Sequence, residues 1–207
     1  MGNGSDRWDR IQEEQQIEIR PWKEKPGEYI LVVLQHVIDT SLIRMIESYG
    51  SYYNWFYNCI TRIRTHTDLP IVVRPHPKHG MYSEFFDAYR VPEVFDMFSD
   101  IYWSRNQGSD GLNGGKFLEK DLEDAHAVVG WTSNALTEAA CYGVPTYPMS
   151  PGAMVTPVAP WPITDIGKMC KMPDRQQWLN DLAYCQWTYE EIQNGTAWNH
   201  IKNANIS

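Results

Sequence analysis

The hydrophobic positions of this chain alternate between short continuous apolar runs and longer stretches with helical spacing. Runs at 29–34, 71–73 and 127–129 are apolar at consecutive positions, as in strands buried on both faces of a parallel sheet. Two further strands are predicted, one at 100–103 and one that begins at Val144-Pro145, which gives about five strands in all. Because helical segments separate them, the pattern predicts an α/β fold: one Rossmann-like three-layer domain with a mostly parallel sheet and right-handed crossovers.

Helical spacing fills the intervals between these strands. It extends over 41–65, with a break expected at Gly50-Ser51, and recurs at 81–90, 116–124 and 135–142. Near the C-terminus, apolar residues follow alternating steps of four and three, which predicts one helical stripe: Trp178, Leu182, Cys185, Tyr189 and Ile192. We therefore divide the chain into a charged lead-in (1–27), the Rossmann-like domain (28–170) and C-terminal helices that pack on it or on a partner domain (171–207).

Polar residues follow three of the predicted strands, at 35–41, 74–77 and 130–134. Ligands of open α/β sheets bind beyond the carboxyl ends of the strands. Gln35, Asp39 and Ser41 belong to the first segment. In the third, the strand opens directly into a helix at Thr132, Ser133 and Asn134, where unpaired N–H groups and the helix dipole suit a phosphate or another anion. Alternatively, Thr132 or Ser133 only caps the helix.

The segment Arg74-Pro75-His76-Pro77 offers the clearest candidate chemistry. Two prolines restrict the backbone around His76, whose imidazole can donate to a phosphate oxygen or carry a proton near neutral pH. Arg74 can neutralise an anion through its planar fork, or its side chain points back into the sheet edge. Lys78 and His79 are either auxiliary anion contacts or solvated loop residues.

Glu138 lies about one turn into the helix that follows the third segment. A carboxylate at this position can accept both hydroxyl groups of a ribose whose phosphate rests at the helix start. It can equally serve only to favour the helix dipole. Gly143 is the expected end of this helix. Asp39 and Asp110 lie near strand ends or loops, where each is a candidate catalytic base or a simple turn residue.

Composition narrows the range of functions. The formal net charge of −8 argues against a protein that binds duplex DNA mainly through the DNA phosphates. The four cysteines lack any Cys-x-x-Cys pair, so the sequence predicts neither a zinc site nor a disulfide scaffold, and fits a reducing cytoplasm. The first twenty residues are too polar for a signal peptide, and no apolar run reaches the roughly 20 residues of a transmembrane helix. We expect a cytoplasmic protein, or one peripheral to the inner face of the membrane.

Together, the "LQ…D-S" segment, "R-P-H-P" and "A-V-V-G-W-T-S…E-A…G-V-P" resemble the C-terminal half of GT-B glycosyltransferases with a His-Pro and a Ser/Thr-Ser motif. Capsule polysaccharide synthesis proteins, including β-Kdo transferases, are the most similar families. The resemblance covers about residues 28–150. It implies that His76, Thr132 and Ser133 contact the donor phosphate of a cytidine nucleotide and that Glu138 binds the ribose. It also makes Gln35 a candidate for contact with the ribose or nucleotide, although Gln35, Asp39 and Ser41 match less specifically. Trp131 stands where these families often have an acidic or aromatic residue.

The resemblance implies a metal-independent glycosyltransferase, or the donor-binding half of one, that moves a sugar from a CMP- or CDP-linked donor to a glycan acceptor. The nucleotide sugar is a co-substrate, and no further cofactor is expected. A GT-B enzyme has two Rossmann-like domains and this chain has room for one, so an N-terminal acceptor domain or partner subunit is implied. Two alternatives remain open: a polyol-phosphate transferase with a CDP donor, and a non-catalytic nucleotide-binding or assembly subunit.

Overall fold

The computed structural model describes residues 2–76, 91–106, 114–159 and 161–203. These residues separate into two compact units. We call residues 19–173 the sheet unit, and residues 2–18 together with 174–203 the terminal unit. The helix predicted at 81–90 lies outside the described residues, as do Pro77, Lys78, His79, Asp110 and most of the glycine-rich segment 108–115.

The described residues contain five strands, nine α-helices and three short 3₁₀ helices. The 3₁₀ helices are Thr40–Leu42, Thr156–Val158 and Ile163–Asp165. In chain order, the other elements are α1 Asp6–Gln15, β1 Tyr29–Val33, α2 Ile43–Tyr49, α3 Tyr52–Arg64, β2 Ile71–Arg74, α4 Val91–Phe95, β3 Ile101–Trp103, α5 Gly114–Glu123, β4 Ala125–Gly130, α6 Asn134–Tyr142, β5 Thr146–Pro148, α7 Gln176–Ala183, α8 Tyr189–Gln193 and α9 Thr196–Asn203.

The five strands form one sheet in the order β3-β2-β1-β4-β5, and every neighbouring pair is parallel. Helices flank the sheet, which confirms the predicted α/β fold with a single Rossmann-like domain. Successive strand residues point to opposite faces. Ile30 and Val32 belong to the core cluster that includes Trp55 and Phe56 of α3. On the other face, the hydroxyl of Tyr29 donates to the carbonyl of Asp121 in α5 at 2.7 Å.

The strand register brings three loops to the same level of the sheet. Val33, the last residue of β1, pairs with Arg74 of β2 on one side and with Gly130 of β4 on the other. The chain therefore leaves all three strands side by side. The strand order reverses between β1 and β4, and this switch point is where open α/β sheets bind ligands.

Two glycines end helices as predicted. Gly50 (φ 78°) separates α2 from α3, and Gly143 (φ 88°) ends α6. The left-handed region favours glycine because other residues clash there. At Gly143 space is also absent, because a Cβ atom would lie 2.0 Å from the carbonyl oxygen of Pro21. The segment around Pro21 thus packs directly against the end of α6.

The terminal unit combines residues from both ends of the chain. Within the expected lead-in, α1 forms because Trp8 and Arg7 are buried. Arg7 pairs with Glu191 and donates to the carbonyl groups of Ala183 and Gln186.

The predicted continuous stripe from Trp178 to Ile192 is wrong. Thr188 starts a new helix through a capping box with Glu191, so that Tyr189 and Ile192 are exposed while Trp178 is buried. No helix among the described residues is long and apolar enough to cross a membrane.

Candidate functional site

A pocket of about 530 Å³ lies at the carboxyl ends of β1, β2 and β4. The structure brings together there every candidate predicted from the described residues of the three strand-end segments and α6. These are Gln35, Asp39, Ser41, Arg74, His76, Thr132, Ser133, Asn134 and Glu138. They converge because the three strands end in register, so sequence segments that are far apart share one wall of the sheet. Their roles toward a ligand remain predictions.

The start of α6 supplies unpaired backbone donors. Ser133 is the N-cap, and its hydroxyl accepts from the N–H of Ala135 at 3.3 Å. The capping alternative is therefore realised for Ser133. Among the hydrogen bonds of the described residues, none uses the N–H of Ser133 or Asn134. Both residues line the pocket, so two donors at the positive end of the α6 dipole are available to an anion.

The side chain of Gln35 is held inside a hydrogen-bond network. Its Oε1 accepts from the N–H of Thr132 at 2.8 Å, and its Nε2 donates to the hydroxyls of Thr132 and Ser41, each at 3.0 Å. The backbone of Gln35 is itself fixed, because the buried hydroxyl of Tyr52 lies 3.3 Å from its N–H and 3.4 Å from its carbonyl oxygen. Burial raises the pKa of Tyr52, so this hydroxyl stays protonated. Tyr52 was not singled out by the sequence analysis.

Arg74 has a buried acidic partner that the sequence analysis missed. Its Nη1 lies 2.6 Å from Oδ2 of Asp121 in α5, and both side chains are almost fully buried. The Asp121 carboxylate also accepts two further hydrogen bonds. The Ser104 hydroxyl donates to Oδ2 at 2.7 Å, and Nδ2 of Asn106 donates to Oδ1 at 2.7 Å. The positive charge of Arg74 is thus balanced within the protein, although Arg74 still lines the pocket. The only sequence feature that marks Asp121 is its position as an acidic residue within a predicted amphipathic helix.

His76 lies at the pocket wall beside a second histidine. The ring centroids of His36 and His76 are 5.4 Å apart with an interplanar angle of 79°, an edge-to-face contact. His36 lies three residues after the end of β1 and His76 two residues after the end of β2, and these two strands are paired. The contact restricts the orientation of the His76 ring. His36 was overlooked because nothing in its sequence neighbourhood marks it.

The two carboxylates of the pocket have different environments. Asp39 caps the 3₁₀ helix, with its Oδ1 accepting from the N–H of Ser41 at 2.9 Å. It is therefore a turn residue in the structure, whatever else it does. Glu138 has a raised pKa because partial burial disfavours its charged form and the charge of Glu119 adds to this, while Arg74 acts in the opposite direction. Its side chain remains accessible from the pocket.

The residue before the hydroxyl pair, Trp131, is part of the core rather than of the pocket. It is 5% exposed and makes an edge-to-face contact with Tyr49 at 6.1 Å. No group of three or more His, Cys, Asp or Glu side chains suited to a metal ion occurs among the described residues. All four cysteines are free thiols. The described lining of the pocket offers hydroxyl, amide, imidazole, guanidinium and carboxylate groups.

Comparison with known proteins gives a likeness in structure only. No family model matches the chain, and no curated protein matches it. Among solved structures, the chain is similar to KpsC of Thermosulfurimonas dismutans, a beta Kdo 2,7 transferase, at a TM-score of 0.47 and 18% identity. The match covers 87% of this chain and 53% of that one, so this chain spans about half the length of the protein it matches. A likeness of this degree does not assign a function to the chain.

Proposed function

We propose that this chain binds the nucleotide-activated donor of a glycosyltransferase and that the donor is CMP- or CDP-linked. The observation that carries the proposal is the pocket at the β1/β4 switch point, where the unused N–H groups of Ser133 and Asn134 lie in the same wall as His76. Donors to an anion at this place in an open α/β sheet are suited to a phosphate. The motifs that resemble GT-B glycosyltransferases supply these same residues.

The pocket groups fit the chemistry of sugar transfer. As the glycosidic bond to the leaving phosphate breaks, the bonding electron pair stays with the phosphate oxygen, which gains negative charge. Fixed hydrogen-bond donors that meet this charge stabilise the transition state more than the ground state. We assign this role to the start of α6 and to the imidazole of His76. Arg74 contributes less than a free cation would, because Asp121 balances its charge.

Glu138 is our candidate for the ribose. It lies one turn after the donors at the start of α6, so a nucleotide whose phosphate sits at Asn134 presents its sugar toward this carboxylate. Ribose hydroxyls can donate to a carboxylate, and each such bond to a charged group stabilises a complex by about 1.5–3 kcal/mol. Asp39 already caps a turn, and we give it no catalytic assignment.

The acceptor and its binding site complete the proposal. We expect a glycan acceptor, and an acceptor-binding domain or partner subunit that supplies the opposite wall of the cleft. This expectation comes from the resemblance to two-domain transferases. We also keep cytoplasmic location, or peripheral association with the inner membrane face, as part of the proposal.

Isothermal titration with CMP, CDP, UDP and GDP tests the donor assignment. We expect cytidine nucleotides to bind most tightly, and His76→Ala to weaken binding roughly tenfold to a hundredfold through loss of a bond to a charged phosphate. His66→Ala is the matched control, because His66 is exposed and lies at the opposite end of β2. Activity assays with CMP-sugars and CDP-glycerol then separate a glycosyltransferase from a polyol-phosphate transferase. Absence of binding by all four nucleotides contradicts the proposal.

A further inference from the structure

Gln35 fixes the direction of hydrogen bonding in the pocket wall. The backbone N–H of Thr132 can only donate, so the Gln35 atom that lies 2.8 Å from it must be the amide oxygen. The amide nitrogen then faces the two hydroxyls of Thr132 and Ser41, at 3.0 Å each. Both protons of the amide nitrogen are used, and both hydroxyls accept.

Ser41 is the end of this network. Its oxygen accepts from the amide nitrogen of Gln35 at 3.0 Å and from the hydroxyl of Thr132 at 3.1 Å. A serine hydroxyl has two acceptor sites and one proton. The Thr132 hydroxyl also lies 3.2 Å from Oε1 of Gln35, which already accepts from the Thr132 N–H at 2.8 Å. When Thr132 donates its single hydroxyl proton to Ser41 instead, both acceptor sites of Ser41 are filled, and Ser41 can interact with a further group only by donating. In that arrangement no described residue accepts from the Ser41 hydroxyl.

The surroundings hold this arrangement in place. Gln35 is 7% exposed, so its amide has no competing water on most sides, whereas Ser41 is exposed at the pocket lining. Tyr52 anchors the backbone of Gln35, and Asp39 anchors the backbone N–H of Ser41 at 2.9 Å. Chains of hydrogen bonds in a poorly solvated site polarise one another, which makes the last donor a stronger one.

We propose that Ser41 donates a hydrogen bond to a phosphate oxygen of the donor nucleotide, and that Gln35 is a positioning residue that imposes this polarity without touching the nucleotide. The proposal rests on the proposed function, because it names the phosphate as the acceptor. It replaces the sequence expectation that Gln35 binds the nucleotide directly. Ser41, in the 3₁₀ helix Thr40–Leu42, thereby joins His76 and the N–H groups at the start of α6 as a phosphate donor.

The first test compares CMP with cytidine, which lacks the phosphate, by NMR titration of the full chain. We expect Ser41→Ala to weaken CMP binding about tenfold or more, the usual effect of removing a bond to a charged group. Cytidine affinity should not change, and Ser41→Thr should restore most of the CMP affinity. Equal losses for CMP and cytidine, or no loss for either, would overturn the assignment of Ser41 to the phosphate.

A double-mutant cycle then tests Gln35 as a positioning residue. Gln35→Leu should weaken CMP binding about as much as Ser41→Ala, and the double variant should lose little more than either. Additive losses would mean that Gln35 contacts the ligand itself, and would contradict the proposal. Gln193→Leu, an exposed glutamine of α8, is the control and should bind CMP like the parent protein.

A third measurement is independent of any nucleotide. Because the N–H of Thr132 donates to Gln35, its hydrogen exchange should be slow in the parent protein and at least about tenfold faster in Gln35→Leu. An unchanged rate would refute the role of Gln35. If the parent protein binds neither CMP nor cytidine, the proposed function fails, and this exchange rate still decides whether Gln35 holds the turn. Should Gln35→Leu not fold, Thr132→Val takes its place in the cycle with Ser41→Ala, with the same expected lack of additivity.

Discussion

The Nη1 atom of Arg74 lies 2.6 Å from Oδ2 of Asp121, and this buried ion pair joins the end of β2 to α5 directly behind the pocket. Ser104 and Asn106 extend it to the end of β3. The pair therefore fixes the wall from which Arg74 reaches the pocket. It also balances the positive charge of Arg74 in that wall, so that under the proposed function the phosphate meets mainly neutral donors.

Breaking this pair should destabilise the protein strongly. Asp121→Ala leaves the Arg74 guanidinium buried without its counter-charge, and we expect the free energy of unfolding to fall by about 3–5 kcal/mol. Asp68→Ala removes an exposed carboxylate and should change it by less than about 0.5 kcal/mol. Urea denaturation followed by tryptophan fluorescence measures both. Similar midpoints for the two variants would show that the pair does not stabilise the fold.

The close approach of Pro21 to Gly143 makes a second prediction. Gly50→Ala and Gly143→Ala both place a side chain at positive φ, which costs about 1–2 kcal/mol. The Cβ at position 50 would have its nearest neighbour 3.7 Å away, whereas at position 143 it would meet the Pro21 carbonyl. Gly143→Ala should therefore lower the melting temperature clearly more than Gly50→Ala. Equal shifts would mean that the segment at Pro21 moves aside freely.

Tyr52 should stabilise both the fold and the pocket. In Tyr52→Phe the backbone N–H and carbonyl of Gln35 lose their buried partner, and we expect destabilisation by about 1–3 kcal/mol. The Gln35 side-chain amide should also become less ordered, with altered NMR shifts. Tyr57→Phe is the control within α3, because the Tyr57 side chain is 42% exposed. Unaltered Gln35 signals in Tyr52→Phe would contradict the anchoring role.

Glu138 allows a test by pH. Its pKa is raised in the folded protein, mainly because burial disfavours the carboxylate. A raised acid pKa means that the folded state holds the proton more tightly, so the charged form destabilises the fold above this pKa and the effect disappears as the pH falls through it. Glu138→Gln should therefore be at least as stable as the parent protein at pH 8, with the difference shrinking toward pH 5. Glu47→Gln, in α2 and not among the described residues that line the pocket, should show no such trend. A parent protein more stable than Glu138→Gln at pH 8 would refute this account.

The fold and the membership of the pocket were predictable from the sequence, for definite physical reasons. Buried parallel strands require continuous apolar runs such as Ile71–Val73 within β2, and polar residues directly after such runs must lie at one edge of the sheet. The partners of these residues were not predictable in this way. Asp121 meets Arg74 only through the packing of α5 behind β2, and Tyr52 meets Gln35 only through the packing of α3.

One error was avoidable. The spacing from Trp178 to Ile192 imitates a single helical stripe, yet Thr188-x-x-Glu191 is a capping-box pattern that begins a new helix. The periodicity of apolar residues alone does not reveal the cap that interrupts the helix. Side-chain hydrogen bonds to the first N–H groups of a helix determine where the helix starts. A capping-box pattern is therefore stronger evidence for a new helix than apolar spacing is for a continuous one.

The most direct test of a phosphate site at the β1/β4 switch point is a titration of the isotopically labelled chain with CMP, followed through backbone amide resonances. We predict that the amides of Ser133 and Asn134 shift most, together with those of Thr132 and Ser41, while the amide of Trp198 in the terminal unit does not respond. Shifts confined to other regions, or no shifts at millimolar CMP, would contradict the account.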